Sequence, residues 1–388
     1  MTNTPSAGAA AGPSAHKAWE PYIEASLGFR NHWYPAFYSS QLTEGEVRGE
    51  VMLGEPIAFK RVNGKVYAVQ DRCMHRGVPF SQRPECYTAN TLTCWYHGFT
   101  YDVRDGALVA VITDPDSALV GKLQLNTYAV EEAKGVVFVF IGDIKPPSLH
   151  EDVQPGFLDP DLVLHRNGER QLLKSNWRLG AENGFDASHI YIHRDSAWVV
   201  SQRQPMPMAT IVSTREGMVV DTPGQPKGVM KGSGVRKNVW ETSIEDVPIR
   251  ARYLPGPDTG RTSPDTSMWL PCGLKVDPFP FAGVIQFEWY VPVDEGSHTY
   301  FVTWGTHASS AEQAEKFQEE MDHHWRSLVI DNFNVDDVAA REAMEQFYAH
   351  EDGWRRERLH GPDLIITEWR KLASAHNRGI QPKRRFPE

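Results

Sequence analysis

Two pairs of cysteine and histidine are the residues whose types and spacing predict chemistry most directly. Cys73 and His75 form the first pair, and Cys94 and His97 form the second pair further along the chain. In a Rieske [2Fe–2S] cluster, two thiolates hold one iron and two imidazoles hold the other. The mixed pairs suit this asymmetric cluster, because each loop then supplies one ligand to each iron. We therefore predict a Rieske cluster and a role in electron transfer.

The alternative to a cluster is a structural zinc ion. Zinc also takes two cysteines and two histidines, but zinc fingers usually place both cysteines in one pair and both histidines in the other. A high-potential respiratory Rieske centre would carry a second cysteine in each loop, and Val78 and Tyr96 stand there instead. The sequence therefore favours a lower-potential centre of the ferredoxin or oxygenase kind.

A second possible metal site lies further along the chain. His189 and His193 are four residues apart, so a helix would place both imidazoles on one face. Two histidines and one carboxylate form the facial triad of non-haem Fe(II) oxygenases, which leaves the opposite side of the iron open. Because a cluster that delivers electrons precedes it, we predict that this histidine pair binds iron.

The third iron ligand is expected to be an acid on another helix. Asp336 and Asp337 are the best candidates, and Asp331 is a weaker one. Adjacent residues on a helix point about 100° apart, so one of the pair is expected to face the iron. The alternative is that the acids only favour the start of a helix. Asp186 is open to three interpretations: a hydrogen-bond partner of an iron histidine, a bridge for electrons to a cluster histidine, or a solvated acid.

Composition limits the class of protein. The chain has 388 residues, a net charge of −10 and 40% hydrophobic residues, which is ordinary for a globular protein and argues against nucleic acid as a partner. No apolar run approaches the ~20 residues that cross a bilayer. Four cysteines, with Cys86 and Cys272 incidental, argue against a disulfide framework. We expect a cytoplasmic protein.

The arrangement of elements predicts an α+β fold in two parts. We expect a tail and lead-in over residues 1–30, a β-rich cluster domain over 31–148, and a catalytic domain over 149–388 in which helices pack on an antiparallel sheet (helix-grip type). Asn63-Gly64 and Asp105-Gly106 are hairpin-turn signals beside the cluster loops. In the second part we predict one helical segment near 177–193, helices near 311–330 and 335–349, strands near 210–212, 218–220, 284–291 and 300–304, and loops around 222–236 and 253–267.

These residues resemble the Rieske non-haem iron ring-hydroxylating oxygenases over essentially the whole chain. The resemblance implies that Cys73, His75, Cys94 and His97 bind the cluster, that His189, His193 and Asp337 bind one Fe(II), and that Asp186 is the bridge between the two sites. It also implies a homotrimer, with a ferredoxin and its reductase as separate partners, because the chain has no nucleotide-binding glycine motif of its own. Many members have four residues between their iron histidines, whereas this chain has three.

The three-residue spacing is similar to that of family members that attack carbazole or related polycyclic heteroaromatics. The resemblance implies O₂ attack at a ring carbon bonded to nitrogen and at its neighbour. A flat apolar substrate needs an apolar pocket. Candidate pocket residues, for which core packing is the alternative, are Gly184 (through its carbonyl), Ile190, Phe279, Gln286 and Phe333.

Other functions are consistent with parts of this pattern. A Rieske monooxygenase or demethylase would share the fold and both metal sites. A pure electron carrier would leave everything after the cluster domain unexplained. A zinc-binding structural protein would contain no sulfide.

Overall fold

The computed structural model describes residues 18–186, 188–198, 224–231, 239–244, 247–252 and 264–383. Within these ranges the fold is α+β, as predicted, with five β-sheets and with helices grouped mainly in the second half. No helix in these ranges is long and apolar enough to span a membrane.

The first part of the chain is rich in short antiparallel strands. They form a three-stranded sheet in the order β1-β10-β9, a four-stranded sheet in the order β2-β3-β4-β8, and a three-stranded sheet β5-β6-β7. The strands are β1 His32–Tyr38, β2 Val47–Met52, β3 Glu55–Val62, β4 Lys65–Gln70, β5 Thr91–Thr93, β6 Phe99–Asp102, β7 Leu108–Val111, β8 Thr127–Tyr128, β9 Val130–Ala133 and β10 Val136–Ile141. The predicted domain boundaries stay a prediction.

Both predicted hairpins are confirmed. Asn63 and Gly64 connect β3 to β4 with φ of 52° and 76°, the left-handed backbone that a tight two-residue turn requires. Gly106 lies between β6 and β7. A separate small core that includes Phe80, Leu92 and Tyr101 lies behind the cluster loops.

The second part is built on a seven-stranded antiparallel sheet. Its order is β11-β19-β18-β17-β16-β13, and β12 also pairs with β19. The long hairpin of β18 and β19 confirms the strands predicted near 284–291 and 300–304. The strands are β11 Leu162–Leu164, β12 Glu169–Leu173, β13 Gly228–Lys231, β14 Val239–Ile244, β15 Val247–Arg252, β16 Asp265–Trp269, β17 Gly273–Asp277, β18 Val284–Asp294 and β19 Ser297–His307, of which β14 and β15 form a separate pair.

The helices of the described residues are α1 Glu20–Glu24, α2 Trp177–Phe185, α3 Ala311–Glu320, α4 Arg326–Ile330, α5 Asn334–His350, α6 Gly353–Arg356 and α7 Leu364–His376. Helix α2 packs on β16 to β19 and α7 packs on β13, whereas α5 carries Asp337 of the second site. Both predicted C-terminal helices are confirmed, although a π-helical turn, Met321–Trp325, separates α3 from α4.

Two expectations about local structure are wrong. The segment near 177–193 is not one helix, because α2 ends at Phe185 and a 3-10 helix, His189–Asp195, follows it. Strand β13 lies inside the loop expected around 222–236, and β16 begins inside the loop expected around 253–267. The strands expected near 210–212 and 218–220 lie outside the described residues.

Candidate functional site

The two loops that carry the cysteine–histidine pairs have the same local geometry. The carbonyl of Cys73 accepts a hydrogen bond from the N–H of Gly77 at 2.7 Å, and that of Cys94 accepts one from Gly98 at 2.9 Å. Both glycines have φ near 70°. A Cβ at Gly98 would lie 2.6 Å from Cβ of Ile112, so the turn requires glycine for both its backbone angle and its space.

The four side chains of these loops separate into a sulfur pair and an imidazole pair. Cys73 and Cys94 are buried, whereas His75 is exposed and His97 is half-buried. The two imidazole rings are 4.6 Å apart, and the buried Nδ1 of His97 makes no hydrogen bond. The hydroxyl oxygen of Tyr101 lies 3.8 Å from the sulfur of Cys73. Thiolates inside and imidazoles outside are the donor set of a Rieske cluster.

The spacing of these side chains does not suit a single zinc ion. Tetrahedral zinc, with bonds of about 2.0–2.3 Å, requires all its ligand atoms within about 4 Å of one another. Among the residues that the structure describes, sets of three or more ligand atoms within 4.8 Å occur at His189, His193 and Asp337 and at the exposed Asp159, Asp161 and His307. The cysteine–histidine residues form no such set.

Helix α2 ends at Asp186, just before the histidine pair. Asp186 has extended backbone (φ −60°, ψ 133°). Its Oδ1 accepts hydrogen bonds from the N–H and the hydroxyl of Ser188, at 2.7 and 2.9 Å. This local side-chain bonding competes with helix continuation and ends α2. The 3-10 helix that follows presents both imidazoles to α5.

The structure brings His189, His193 and Asp337 together from two elements. Oδ1 of Asp337 lies 3.3 Å from Nε2 of His193 and 3.6 Å from Nε2 of His189. Neither Asp337 Oδ1 nor His193 Nε2 makes a hydrogen bond, although both are buried. Buried polar atoms without hydrogen bonds are costly in a fold unless they bind something else. These three atoms fit the facial triad of an Fe(II) site.

The other two acidic candidates lie outside the group of three ligand atoms. The side chain of Asp336 is 42% exposed, compared with 6% for Asp337. Asp331 is exposed and accepts a hydrogen bond from Ser327 at 2.8 Å. The expectation that one of two adjacent aspartates would face the histidines therefore agrees with the geometry.

The site keeps its carboxylate ionised and favours the neutral form of His189. Burial would raise the pKa of Asp337, but the nearby His193, His189 and Arg341 outweigh it and lower the pKa to about 2. Burial lowers the pKa of His189. A metal ion requires a deprotonated carboxylate and neutral imidazoles, and the forms favoured here for Asp337 and His189 meet that requirement.

The backbone and neighbouring side chains orient the imidazole rings. Nδ1 of His189 lies 2.8 Å from the carbonyl of Asp186, so Nδ1–H donates there and Nε2 is left for a metal. His193 has Asp336 3.7 Å from its Nδ1. The ring of Phe333 stacks on the His193 imidazole with centroids 3.6 Å apart and planes 13° apart.

Asp186 lies at the border of a cleft beside the histidine pair. The cleft has a volume of about 440 Å³ and is lined by Asp186, His189, Arg356 and Arg358, among others. The imidazole of His189 donates its hydrogen bond to the backbone carbonyl of Asp186. The carboxylate of Asp186 accepts a hydrogen bond from Ser188 instead. This carboxylate is half-buried.

The candidate pocket residues fall into two groups. Phe279 and Phe333 are buried with ring centroids 5.6 Å apart, and Trp198, which the sequence analysis missed, lies 5.0 and 5.4 Å from them. Ile190 packs at the edge of the same core. A lone tryptophan after the histidine segment was the only sequence signal for Trp198.

Gln286 and Gly184 form the second group, and both contact side chains of strand β18. The amide of Gln286 donates to Glu288 at 2.5 Å, and its oxygen accepts from Trp304 at 2.7 Å. A Cβ at Gly184 would lie 2.2 Å from the hydroxyl oxygen of Tyr290. Glycine is therefore required here for close packing of α2 on β18.

The family of this chain follows from both sites and from comparison with known proteins. Residues 32–128 match the Rieske [2Fe–2S] domain, and residues 140–381 match the family of homotrimeric ring hydroxylases. The chain belongs to the Rieske non-haem iron ring-hydroxylating oxygenases, and its cofactors are one [2Fe–2S] cluster and one mononuclear iron.

Relatives that match over most of this chain include terminal oxygenase components of carbazole 1,9a-dioxygenase. The terminal oxygenase component of carbazole 1,9a-dioxygenase from Sphingomonas sp. is 48% identical and covers 95% of this chain and 97% of its own. Its counterpart from Metapseudomonas resinovorans is 42% identical, with coverage of 94% and 95%. The solved terminal oxygenase from Nocardioides aromaticivorans is 44% identical, with coverage of 94% and 99% and a TM-score of 0.85. A fluorene-bound oxygenase–ferredoxin complex of this enzyme matches with a TM-score of 0.86 at 44% identity, with coverage of 94% and 96%.

Proposed function

We propose that this chain is the terminal oxygenase of an aromatic-ring dioxygenase that receives electrons from a ferredoxin and attacks carbazole, or a related polycyclic heteroaromatic, at the angular position. The observation that carries the proposal is the presence of both metal sites in one chain that is 48% identical to such an oxygenase over 95% of its length. In this reaction both atoms of O₂ enter a ring carbon bonded to nitrogen and its neighbour.

The proposed cluster ligands are Cys73, His75, Cys94 and His97, and the proposed iron ligands are His189, His193 and Asp337. The cluster supplies electrons one at a time, and the iron supplies the activation of O₂. The protein presents three ligand atoms from one side, so the opposite side stays open. The Nδ1 contact of His189 with Asp186 and the stacking of Phe333 on His193 fix the ring orientations.

The proposed substrate surface is the aromatic group beside the histidines. Trp198, Phe279 and Phe333 lie within 5.0–5.6 Å of one another, centroid to centroid, and Phe333 also contacts His193. A flat, apolar ring system suits such a surface. Ile190 is proposed to extend it, and the carbonyl of Gly184 is proposed to accept the N–H of the substrate. Gln286 is proposed to line the substrate pocket, with its amide fixed by two hydrogen bonds.

Electrons are proposed to enter through the exposed histidine side of the cluster. His75 and the neighbouring Met74 and Tyr96 are exposed, which suits docking of a ferredoxin or of a second copy of the chain. Because the family is homotrimeric, we propose that electrons pass from the cluster of one subunit to the iron of its neighbour. The half-buried carboxylate of Asp186, at the edge of the cleft next to His189, is the proposed bridge.

Complementation between defective subunits tests this electron path. Cys94→Ser is expected to remove the cluster, and Asp337→Ala is expected to remove the iron, so each homotrimer is inactive. Co-expressed trimers that contain both variants are expected to recover part of the turnover. Mixed trimers that stay inactive, although each retains its remaining metal, would contradict transfer between subunits.

Substrate oxidation tests the activity itself. Purified protein with a ferredoxin and its reductase is expected to consume carbazole and O₂. His189→Ala is expected to keep the visible spectrum of the cluster and to lose turnover. Substrate oxidation that survives in this variant would overturn the iron-site proposal, and a single oxygen atom in the product would indicate a monooxygenase or demethylase.

The cytoplasm is the proposed location. None of Cys73, Cys86, Cys94 and Cys272 forms a disulfide, and a reducing compartment keeps cysteines in that state. Fractionation of the source cells would test this, with recovery in an oxidising compartment as the contradictory result.

A further inference from the structure

The buried side of helix α5 is polar. Its fully buried residues are Asn334, Asp337 and Arg341, spaced by three and four positions and therefore on one face. A helix that packs on a sheet usually buries an apolar stripe. Each of the three residues has a defined contact: Asn334 donates to the hydroxyl of Tyr300 at 3.0 Å, and Asp337 meets the histidine pair.

Arg341 lies one helical turn after Asp337 and connects α5 to α2. Its Nε donates to Oδ1 of Asn183 at 2.5 Å. Its guanidinium carbon lies over the rings of Tyr300 and Tyr290, 4.7 and 5.2 Å from their centroids. Asn183 is in the last turn of α2, three residues before Asp186, where the helix ends. The contact therefore joins α5, which carries Asp337, to the helix that directly precedes the 3-10 helix of His189 and His193.

A second contact joins the same helices at the start of α2. The backbone N–H of Asn176, which caps α2, donates to Glu345 on α5 at 2.6 Å. Glu345 is half-buried and lies one turn beyond Arg341. The contact between Arg341 and Asn183 is nearer along the chain to the proposed iron ligands than the contact between Glu345 and Asn176. The second contact can therefore serve as a control for the first.

The burial of Arg341 is difficult to explain by stability alone. The side chain is 1% exposed, and its Nη1 makes no hydrogen bond. Apolar residues of similar volume often stabilise a fold as well as or better than buried charges do. Asp337 and the buried Glu288 are the acidic groups close enough to influence its charge. The cation therefore lies close enough to the carboxylate of the proposed iron site to interact with it electrostatically.

We infer that Arg341 and Asn183 form a positioning pair that sets the distance between Asp337 and the histidine pair and thereby determines how tightly the iron is held. The inference rests on the proposed function, since it concerns the same iron site. Arg341 touches none of the reacting atoms in this role. Partners outside the ligand set of a metal typically contribute about 10–100-fold to its affinity.

Iron release from the purified trimer tests the inference. A chelator that absorbs on binding Fe(II) would report the dissociation rate in the parent and in Arg341→Met, Asn183→Leu, Asn183→Asp and Glu345→Ala. We expect release to be about tenfold or more faster in Arg341→Met and Asn183→Leu. Asn183→Asp keeps an oxygen acceptor for the guanidinium and is expected to resemble the parent. Glu345→Ala, which breaks only the distant contact, is expected to resemble it too.

Each outcome separates this inference from a general effect on folding. The cluster spectrum and the melting temperature establish which variants are folded. Parent-like release from folded Arg341→Met and Asn183→Leu would overturn the inference alone. Equal acceleration in Glu345→Ala would also overturn it, because helix docking in general would then explain the result. If Arg341→Met does not fold, the two Asn183 variants decide. A folded parent that binds no iron would overturn the proposed function, and the inference with it.

Discussion

The hydroxyl of Tyr101 is expected to raise the reduction potential of the cluster. Tyr101 is fully buried, and its oxygen lies 3.8 Å from the sulfur of Cys73. Reduction adds one negative charge to the cluster, so a donor near a sulfur stabilises the reduced form more than the oxidised form. Tyr101→Phe removes this donor and keeps the ring, which packs edge-on against Phe80 at 5.6 Å.

The expected size of the effect follows from the strength of such a bond. A hydrogen bond to a neutral group contributes about 0.5–1.5 kcal/mol and one to a charged group about 1.5–3 kcal/mol, so the two redox states differ by about 1 kcal/mol. For a one-electron couple, a tenfold change in the equilibrium constant corresponds to about 59 mV. We therefore expect Tyr101→Phe to lower the potential by about 40 mV.

A redox titration followed by the visible spectrum of the cluster measures this shift. Tyr96→Phe is the matched control, because Tyr96 is exposed and its ring lies 3.7 Å from that of His97, next to the imidazoles and away from the buried sulfurs. Its potential is expected to stay near that of the parent. A potential that is unchanged or higher in Tyr101→Phe, with the cluster fully assembled, would refute the reasoning.

Three further predictions concern the catalytic domain. Asp337→Ala is expected to abolish iron binding while the cluster absorbance stays complete, and metal analysis that finds stoichiometric iron would contradict the triad. Phe333→Ala removes the ring stacked on His193 and is expected to lower the free energy of unfolding by about 3 kcal/mol or more in urea titrations. The expected loss for Phe333→Leu is about 1 kcal/mol. Equal losses of unfolding free energy in the two variants would argue against the stacking. Burial lowers the pKa of His298 to about 3, so its stabilising effect is present above the unfolded pKa and is lost as the pH falls. Between pH 7.5 and 5.5 we expect the parent to lose about 1.4 kcal/mol more than His298→Gln, and parallel pH profiles of unfolding would contradict this.

The candidate residues of both metal sites follow from short-range patterns in the sequence. The two Cys-x3-Gly loops specify their own turns, since each glycine closes the loop on its cysteine. Asn63-Gly64 likewise specifies a hairpin turn. For Asp337, spacing on a helix predicted only that one of two neighbours faces inward; the family resemblance selected the residue.

The break in the helix at Asp186 was missed because a competing local signal was overlooked. Histidines four residues apart suggest one helix, but the side chain of Asp186 bonds to Ser188 and turns the chain. Asp-x-Ser after Gly184 is the signal that could have indicated this end. The two candidate iron histidines therefore lie on a 3-10 helix and not on the single helix that was predicted.

The buried polar contacts behind the site could not be predicted from local sequence. Arg341, for example, donates a hydrogen bond to Asn183, which is 158 residues away along the chain. A charged residue in a helix is most often solvated, so its burial depends on partners that are distant along the chain. Only the folded arrangement identifies such partners.

Oxidation of carbazole under ¹⁸O₂, with the purified oxygenase, a ferredoxin and a reductase, would show whether this chain is an angular dioxygenase. We expect two labelled oxygen atoms in the product, one at a carbon that was bonded to nitrogen and one at its neighbour. A product with one labelled atom, or oxidation that continues in the His189→Ala protein, would contradict it.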